Sequence, residues 1–172
     1  MKVVEIFNSI EGEGKRAGLP CTFIRLYGCN LHCSYCDSRY ACDDNVYETL
    51  SVEDIVNKVQ DIGCYAVTIT GGEPLMHPDV DTLISKLCNE GYWVNVETNG
   101  TFVPRVRHNS LFYTVDYKTN ASGMTDRMIM DVFDQLEVHD VLKFVVGSEE
   151  DLIQAMEFAN KLKSLPRIYI RS

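Results

Sequence analysis

Short runs of β-branched and aromatic residues alternate along this chain with longer segments whose apolar residues recur at helical spacing. No other feature limits the fold as tightly. The strand-like runs cover 22–27, 65–70, 92–97, 112–116, 142–146 and 168–170, and Met1-Lys2-Val3-Val4-Glu5 begins a further strand-like pattern. The helical spacing covers 52–62, 79–89, 128–136 and 152–162. Ser51 precedes Asp54 by three and Ser148 precedes Asp151 by three, the spacing of a capping box with Asp in place of Glu. Gly63 and Gly91 stand where helix ends need left-handed backbone. Strand-helix alternation implies parallel strands joined by right-handed crossovers, and hence an α/β fold. At 172 residues, with no repeat, low-complexity stretch or linker, the chain is expected to form one domain spanning 1–172.

In such folds ligands bind beyond the carboxyl ends of the strands. Four segments fall there and are expected to share one rim. They are a cysteine loop after Tyr27, Gly71-Gly72-Glu73-Pro74 after Thr70, Thr98-Asn99-Gly100 after Glu97, and Tyr117-Lys118 after Asp116. Two glycines free backbone groups to meet a ligand at close range, although alone they are an ordinary turn. An Asn-Gly turn is likewise the plain reading of the third segment. The fourth is the least specific, since a solvated charged turn accounts for it equally.

The loop carries Cys29, Cys33 and Cys36, three thiols within eight residues, opened by Gly28. A cubane of four irons normally takes four thiolates, so three leave one iron open. Zinc is the competing reading, but a structural zinc site is closed by four ligands, and His32 is poorly placed to be the fourth. The chain has seven cysteines, an odd count, which in a reducing compartment points to metal before disulfides. Cys21, Cys42, Cys64 and Cys88 lack ligand spacing and are expected to be packing residues.

A content of 45% hydrophobic and 24% charged residues fits a globular chain. The net charge of −9 argues against a general binder of nucleic acid backbones and favours a small-molecule substrate. No apolar run approaches a membrane span and no secretion signal is visible, so the cytoplasm is the expected location.

The spacing Cys-x-x-x-Cys-x-x-Cys resembles the cluster motif of the radical S-adenosylmethionine (SAM) superfamily. The resemblance implies a partial, open (β/α) barrel of about six mainly parallel strands. It also implies a [4Fe-4S] cluster on Cys29, Cys33 and Cys36, whose open iron is chelated by SAM and whose electron releases a 5′-deoxyadenosyl radical. Tyr35 matches the aromatic beside the third cysteine that contacts adenine. Gly71, Gly72 and Glu73 match the glycine-rich loop for the methionyl amino group, and Thr98 and Asn99 a strand end facing ribose and carboxylate.

The run Ile6 to Gly14, with Gly18-Leu19-Pro20 and Phe23 to Leu26, is similar to the 7-carboxy-7-deazaguanine synthases of queuosine biosynthesis. That resemblance implies ring contraction of 6-carboxy-tetrahydropterin with loss of ammonia, and a requirement for Mg2+. Glu11, Gly12, Glu13 and Arg25 match the substrate pocket, and Ser38, after Asp37, matches a magnesium ligand; a helix cap is the competing reading of that pair. The chain departs from the family pattern at Glu11, where Gln is usual. It also stops before the family's usual carboxy-terminal segment, so either the sequence is cut short or the pocket is completed otherwise, as by a second subunit of a homodimer. An electron donor such as flavodoxin or ferredoxin is implied. A glycyl-radical activase and a non-catalytic metal-binding module are the alternatives.

Overall fold

The computed structural model describes residues 1–163 and 166–171. Its strands are β1 (Lys2–Ile10), β2 (Pro20–Leu26), β3 (Glu48–Thr49), β4 (Ala66–Gly71), β5 (Trp93–Thr98), β6 (Leu111–Tyr117), β7 (Val141–Val145) and β8 (Arg167–Arg171). Its helices are α1 (Tyr40–Asp43), α2 (Val52–Ile62), α3 (Val80–Asn89), α4 (Met130–Asp134) and α5 (Glu149–Ala159). All eight strands form one open sheet in the order β3-β1-β2-β4-β5-β6-β7-β8. From β2 to β8 every pairing is parallel, and β1 and β3 add an antiparallel edge.

The expected α/β class therefore holds, with eight strands in place of about six. The strand-like pattern begun at Met1 becomes β1, and only β3, two exposed residues, left no signal in the sequence. Helix ends also differ. The apolar spacing over 128–136 condenses to the five residues of α4, because Ile129 is extended. The helix expected over 152–162 starts three residues earlier, where the Ser148 hydroxyl accepts from the Asp151 amide. At α2 the capping box is complete, and Gly63 closes the helix at φ +77°.

The core follows from the parallel pairing. β4 and β6 are buried along nearly their whole length, as strands covered on both faces require. Against them α2 lays Ile55, Val56 and Val59, and α3 lays Val80, Leu83, Ile84 and Leu87. Each aliphatic side chain so buried contributes about 1.5–3 kcal/mol.

One cation lies inside this apolar frame. Arg16, only 1% exposed, donates to Trp93 O (2.6 Å), Val67 O (3.2 Å) and the Thr68 hydroxyl, and pairs with Glu11 at 3.3 Å. Its guanidinium lies 5.3 Å from the ring centres of both Trp93 and Phe112. Trp93 opens β5 and Val67 stands near the start of β4, so Arg16 plugs the sheet at the end away from the strands' carboxyl rim. No helix among the described residues is long and apolar enough to cross a membrane.

Candidate active site

A cavity of about 630 Å3 opens over the carboxyl ends of the strands. The four expected segments all reach it, through Cys29, Cys33, Cys36 and Tyr35, Gly71 and Gly72, Thr98 and Asn99, and Lys118. Glu11, Gly12, Glu13, Arg25, Asp37 and Ser38 line it as well.

Hydrogen bonds to the neighbouring segments hold the cysteine loop in place. Gly28 N donates to Ala41 O (2.8 Å), Arg39 to Cys33 O (2.8 Å), and Ser34 N to Ser122 O (3.0 Å). Asn99 Nδ2 donates to Asn30 Oδ1 (2.9 Å) and lies 3.5 Å from Cys29 Sγ. Gly28 turns the chain at φ +96°, and its carbonyl accepts from Glu73 N at 2.8 Å. Gly72 N donates to Leu26 O at 3.0 Å. The amides of Gly72 and Glu73 thus bond the end of β2 and the start of the cysteine loop.

Glu73 corrects a sequence expectation. Its side chain is fully buried and absent from the cavity wall. Its carboxylate accepts from Leu75 N (2.9 Å), the Thr98 hydroxyl (2.7 Å) and Asn99 N (2.7 Å), so it pins one rim segment to another and is a positioning residue. The Thr98 hydroxyl, expected toward cofactor, is donated inward by the same bond. Burial outweighs these donors and pushes the Glu73 carboxyl up from 4.5 to about 7. A carboxyl that holds its proton more tightly when folded contributes stability that is complete below about pH 4.5 and lost as pH rises through 7. From about pH 4 to about pH 8 the wild type should therefore lose up to about 3 kcal/mol relative to Glu73→Gln, whose amide does not titrate. Urea unfolding of both across that range checks it, and parallel profiles would refute it.

The rest of the wall is a chain of charges. Lys118 pairs with Asp116 (2.8 Å), Lys143 with Asp116 (3.1 Å) and Glu13 (3.4 Å), and Arg171 with Glu13 (2.7 Å). Burial opposes ionisation of Asp116, but Lys118 and Lys143 outweigh it and hold the carboxyl below its usual range. Burial likewise works against both lysines, and Asp116 overrides it, raising them. Glu97 accepts from Thr70 Oγ1 (2.8 Å), and burial pushes its carboxyl up. Arg25 gives its Nε to Glu5 (2.7 Å) and lies 5.6 Å from the Tyr40 ring centre. Sequence reasoning missed Lys143 and Arg171. Each is an isolated basic residue on a strand with no motif around it, and only strand order brings it to the cavity.

The three loop thiols suit a thiophilic group. Burial raises the thiols of Cys29 and Cys33. Among the described residues no three His, Cys, Asp or Glu side chains converge on a single-ion position, and His32 is exposed and off the cavity wall. Three thiols on one cavity wall are the soft donors that an iron-sulfur cluster takes. Asp37 and Ser38 do not cap α1, whose N-cap is Arg39 without a side-chain bond. Cys42 is a second correction: expected in packing, it lines the same cavity as the three loop thiols. Burial, Cys29 and Cys36 push its thiol up to about 12.

A parallel sheet that carries a three-thiol loop at its carboxyl rim, braced by a Gly-Gly-Glu-Pro turn, defines a radical SAM enzyme, and the family described as "Radical SAM superfamily" matches residues 23–165. The 7-carboxy-7-deazaguanine synthase of Clostridium acetobutylicum is 39% identical over 98% of this chain and 80% of its own length. That of Thermoplasma acidophilum is 33% identical over 94% and 77%. QueE from Escherichia coli superposes with a TM-score of 0.83 at 27% identity, covering 98% of this chain and 82% of its own. The chain belongs to the 7-carboxy-7-deazaguanine synthase family of radical SAM enzymes. Its family carries a [4Fe-4S] cluster and uses SAM, and Cys29, Cys33 and Cys36 are the residues here that would hold the cluster.

Proposed function

We propose that this chain converts 6-carboxy-5,6,7,8-tetrahydropterin to 7-carboxy-7-deazaguanine with release of ammonia, in queuosine and 7-deazapurine biosynthesis. One observation carries the reading: a single cavity is walled by the cluster thiols and also by Glu11, Gly12, Glu13 and Arg25. When bound, the cluster and SAM supply the radical that removes a substrate hydrogen. The side chains do the rest.

Glu11 accepts from Thr68 Oγ1 (2.7 Å) and Arg16, so an ionised carboxylate there meets ring N–H groups and rejects carbonyls. Gly12 leaves open space beside it, with nothing within 4 Å of where a Cβ would stand. Arg25, Lys143 and Arg171 supply cations for the substrate carboxylate. Asp37 and Ser38 offer the hard oxygens that Mg2+ takes, with substrate and water completing its shell. Tyr35 and Asn99 flank the cluster thiols where SAM would lie, with the carbonyls of Gly71 and Gly72 for its amino group. The net charge of −9 supports a small-molecule substrate with no direct nucleic acid contact. A flavodoxin or ferredoxin supplies the electron, and the chain works as a homodimer in the cytoplasm.

Anaerobically reconstituted protein with reductant and SAM should form 5′-deoxyadenosine, accelerated by the pterin. Equal output with and without pterin would remove this substrate. Cys33→Ala should lose the visible cluster absorbance while staying folded by circular dichroism, since it removes one of three loop thiolates; full iron content in that variant would count against the ligand set.

A further inference from the structure

Among the carboxylates that line the cavity, Glu97 stands apart. Glu11 has Arg16 at 3.3 Å, Glu13 has Arg171 at 2.7 Å and Lys143 at 3.4 Å, and Asp116 has Lys118 at 2.8 Å and Lys143 at 3.1 Å. Asp37 is exposed and belongs to the proposed Mg2+ site. Glu97, on β5 and partly buried, forms no ion pair among the described residues. Its Oε2 accepts from the Thr70 hydroxyl at 2.8 Å, while Oε1 takes no hydrogen bond from a described residue and is not sealed off from solvent. The groups that face it are Thr70 on β4, Asp116 on β6, Lys143 on β7 and Glu11 from the β1–β2 loop. Burial, with Glu11 and Asp116, favours the protonated carboxyl and outweighs Lys143 and Thr70. Glu97 is therefore a carboxyl that holds a proton and turns one oxygen to the cavity.

We propose that Glu97 is the general acid and base of the ammonia loss: its carboxyl gives a proton to the departing nitrogen and, as carboxylate, takes one from the adjacent ring carbon. The inference rests on the pterin reading above. Product and ammonia together hold every atom of the substrate. In the closing elimination the C–N bond breaks with its electron pair on nitrogen, which takes the Glu97 proton and leaves as ammonia. The Glu97 carboxylate then takes the proton of the neighbouring C–H bond, whose electron pair becomes the ring double bond. The carboxyl is restored, and this elimination consumes neither oxidant nor reductant. The other wall groups suit the task less. Asp116 is held below the usual carboxylate range by its lysines, and it raises Lys118 and Lys143, which then part with a proton reluctantly. Glu11 is tied to Arg16.

The test is steady-state kinetics of the reconstituted full chain with the pterin, reading deazaguanine product and ammonia across pH. Glu97→Gln should lower kcat about 100-fold or more with KM within about threefold, as loss of a general acid-base group does. Its quenched reactions should hold a ring-contracted amine of the substrate's own mass. Formate should restore part of the turnover of Glu97→Ala, where it brings a carboxyl into the vacated space. Because the elimination starts from the acid form, wild-type kcat should fall as pH rises through the Glu97 titration. Thr70→Val, which removes the donor that stabilises the carboxylate, should move that limb to higher pH, and this arm does not depend on the Glu97 variants folding. A Glu97→Gln enzyme with kcat within about threefold of the wild type, or with its loss confined to KM, would overturn the proposal. So would an absence of formate rescue together with an unmoved limb in Thr70→Val. A wild type that loads its cluster but makes no product from the pterin removes the substrate reading, and this inference with it. Failure in the variants alone leaves that reading standing.

Discussion

Gly72→Ala should abolish iron and sulfide loading and lower unfolding stability by about 3 kcal/mol, the upper range for overpacking a close-packed site. A Cβ at position 72 would stand 1.9 Å from Gly28 O, 2.4 Å from its carbonyl carbon and 2.9 Å from Cys29 N. All three are backbone atoms, so no rotamer change relieves the clash. The Gly28–Cys29 peptide would have to move, breaking the 2.8 Å bond from Glu73 N to Gly28 O and displacing the first ligand thiol. Gly71 is comparably confined, at φ +132° with Leu26 O 2.1 Å from its added Cβ. Iron and sulfide analysis after reconstitution, with urea unfolding of the apo chain, reads both effects. A Gly72→Ala protein with full iron content and the wild-type midpoint would show that the cluster loop is not held by this approach.

Arg16→Met should cost about 3–5 kcal/mol, the range for breaking a buried ion pair from one side. The methionine keeps apolar volume against Trp93 and Phe112 but leaves Glu11, 3% exposed, without its cation, and removes the Arg16 donor from the carbonyls of Val67 and Trp93. Part of the loss should return in Arg16→Met combined with Glu11→Gln, because the uncompensated charge is gone while the guanidinium's bonds to those carbonyls stay lost. The coupling from that double-mutant cycle measures the pair directly. An Arg16→Met variant within about 1 kcal/mol of the wild type would mean that water reaches Glu11 from the cavity side and screens it. Because Glu11 also lines the cavity, the same variant should weaken substrate binding.

Much of this was legible in the chain itself. Six strands and α2 follow from residue type and capping, because β-branched runs and Ser51 act locally. The cysteine loop and the glycine-rich turn are equally local, since their chemistry lies within a few consecutive residues. The exceptions have a common cause. Glu73 sits in a ligand-binding motif, yet its carboxylate turns inward to Thr98 and Asn99. Cys42 has no ligand spacing, yet it lines the cavity with the three loop thiols.

The sequence by itself determined the fold class, the three-thiol loop and the rim that carries it, since strand periodicity, turn chemistry and thiol spacing are properties of neighbours along the chain. Tertiary structure alone decided which charges meet. Lys143 and Arg171 join Glu13 only because β7 and β8 follow β6 across the sheet, and Arg16 finds Glu11 only inside it. The physical reason is distance: a Coulomb contact or a buried hydrogen bond depends on separation in space, which pairing order sets and local sequence does not encode.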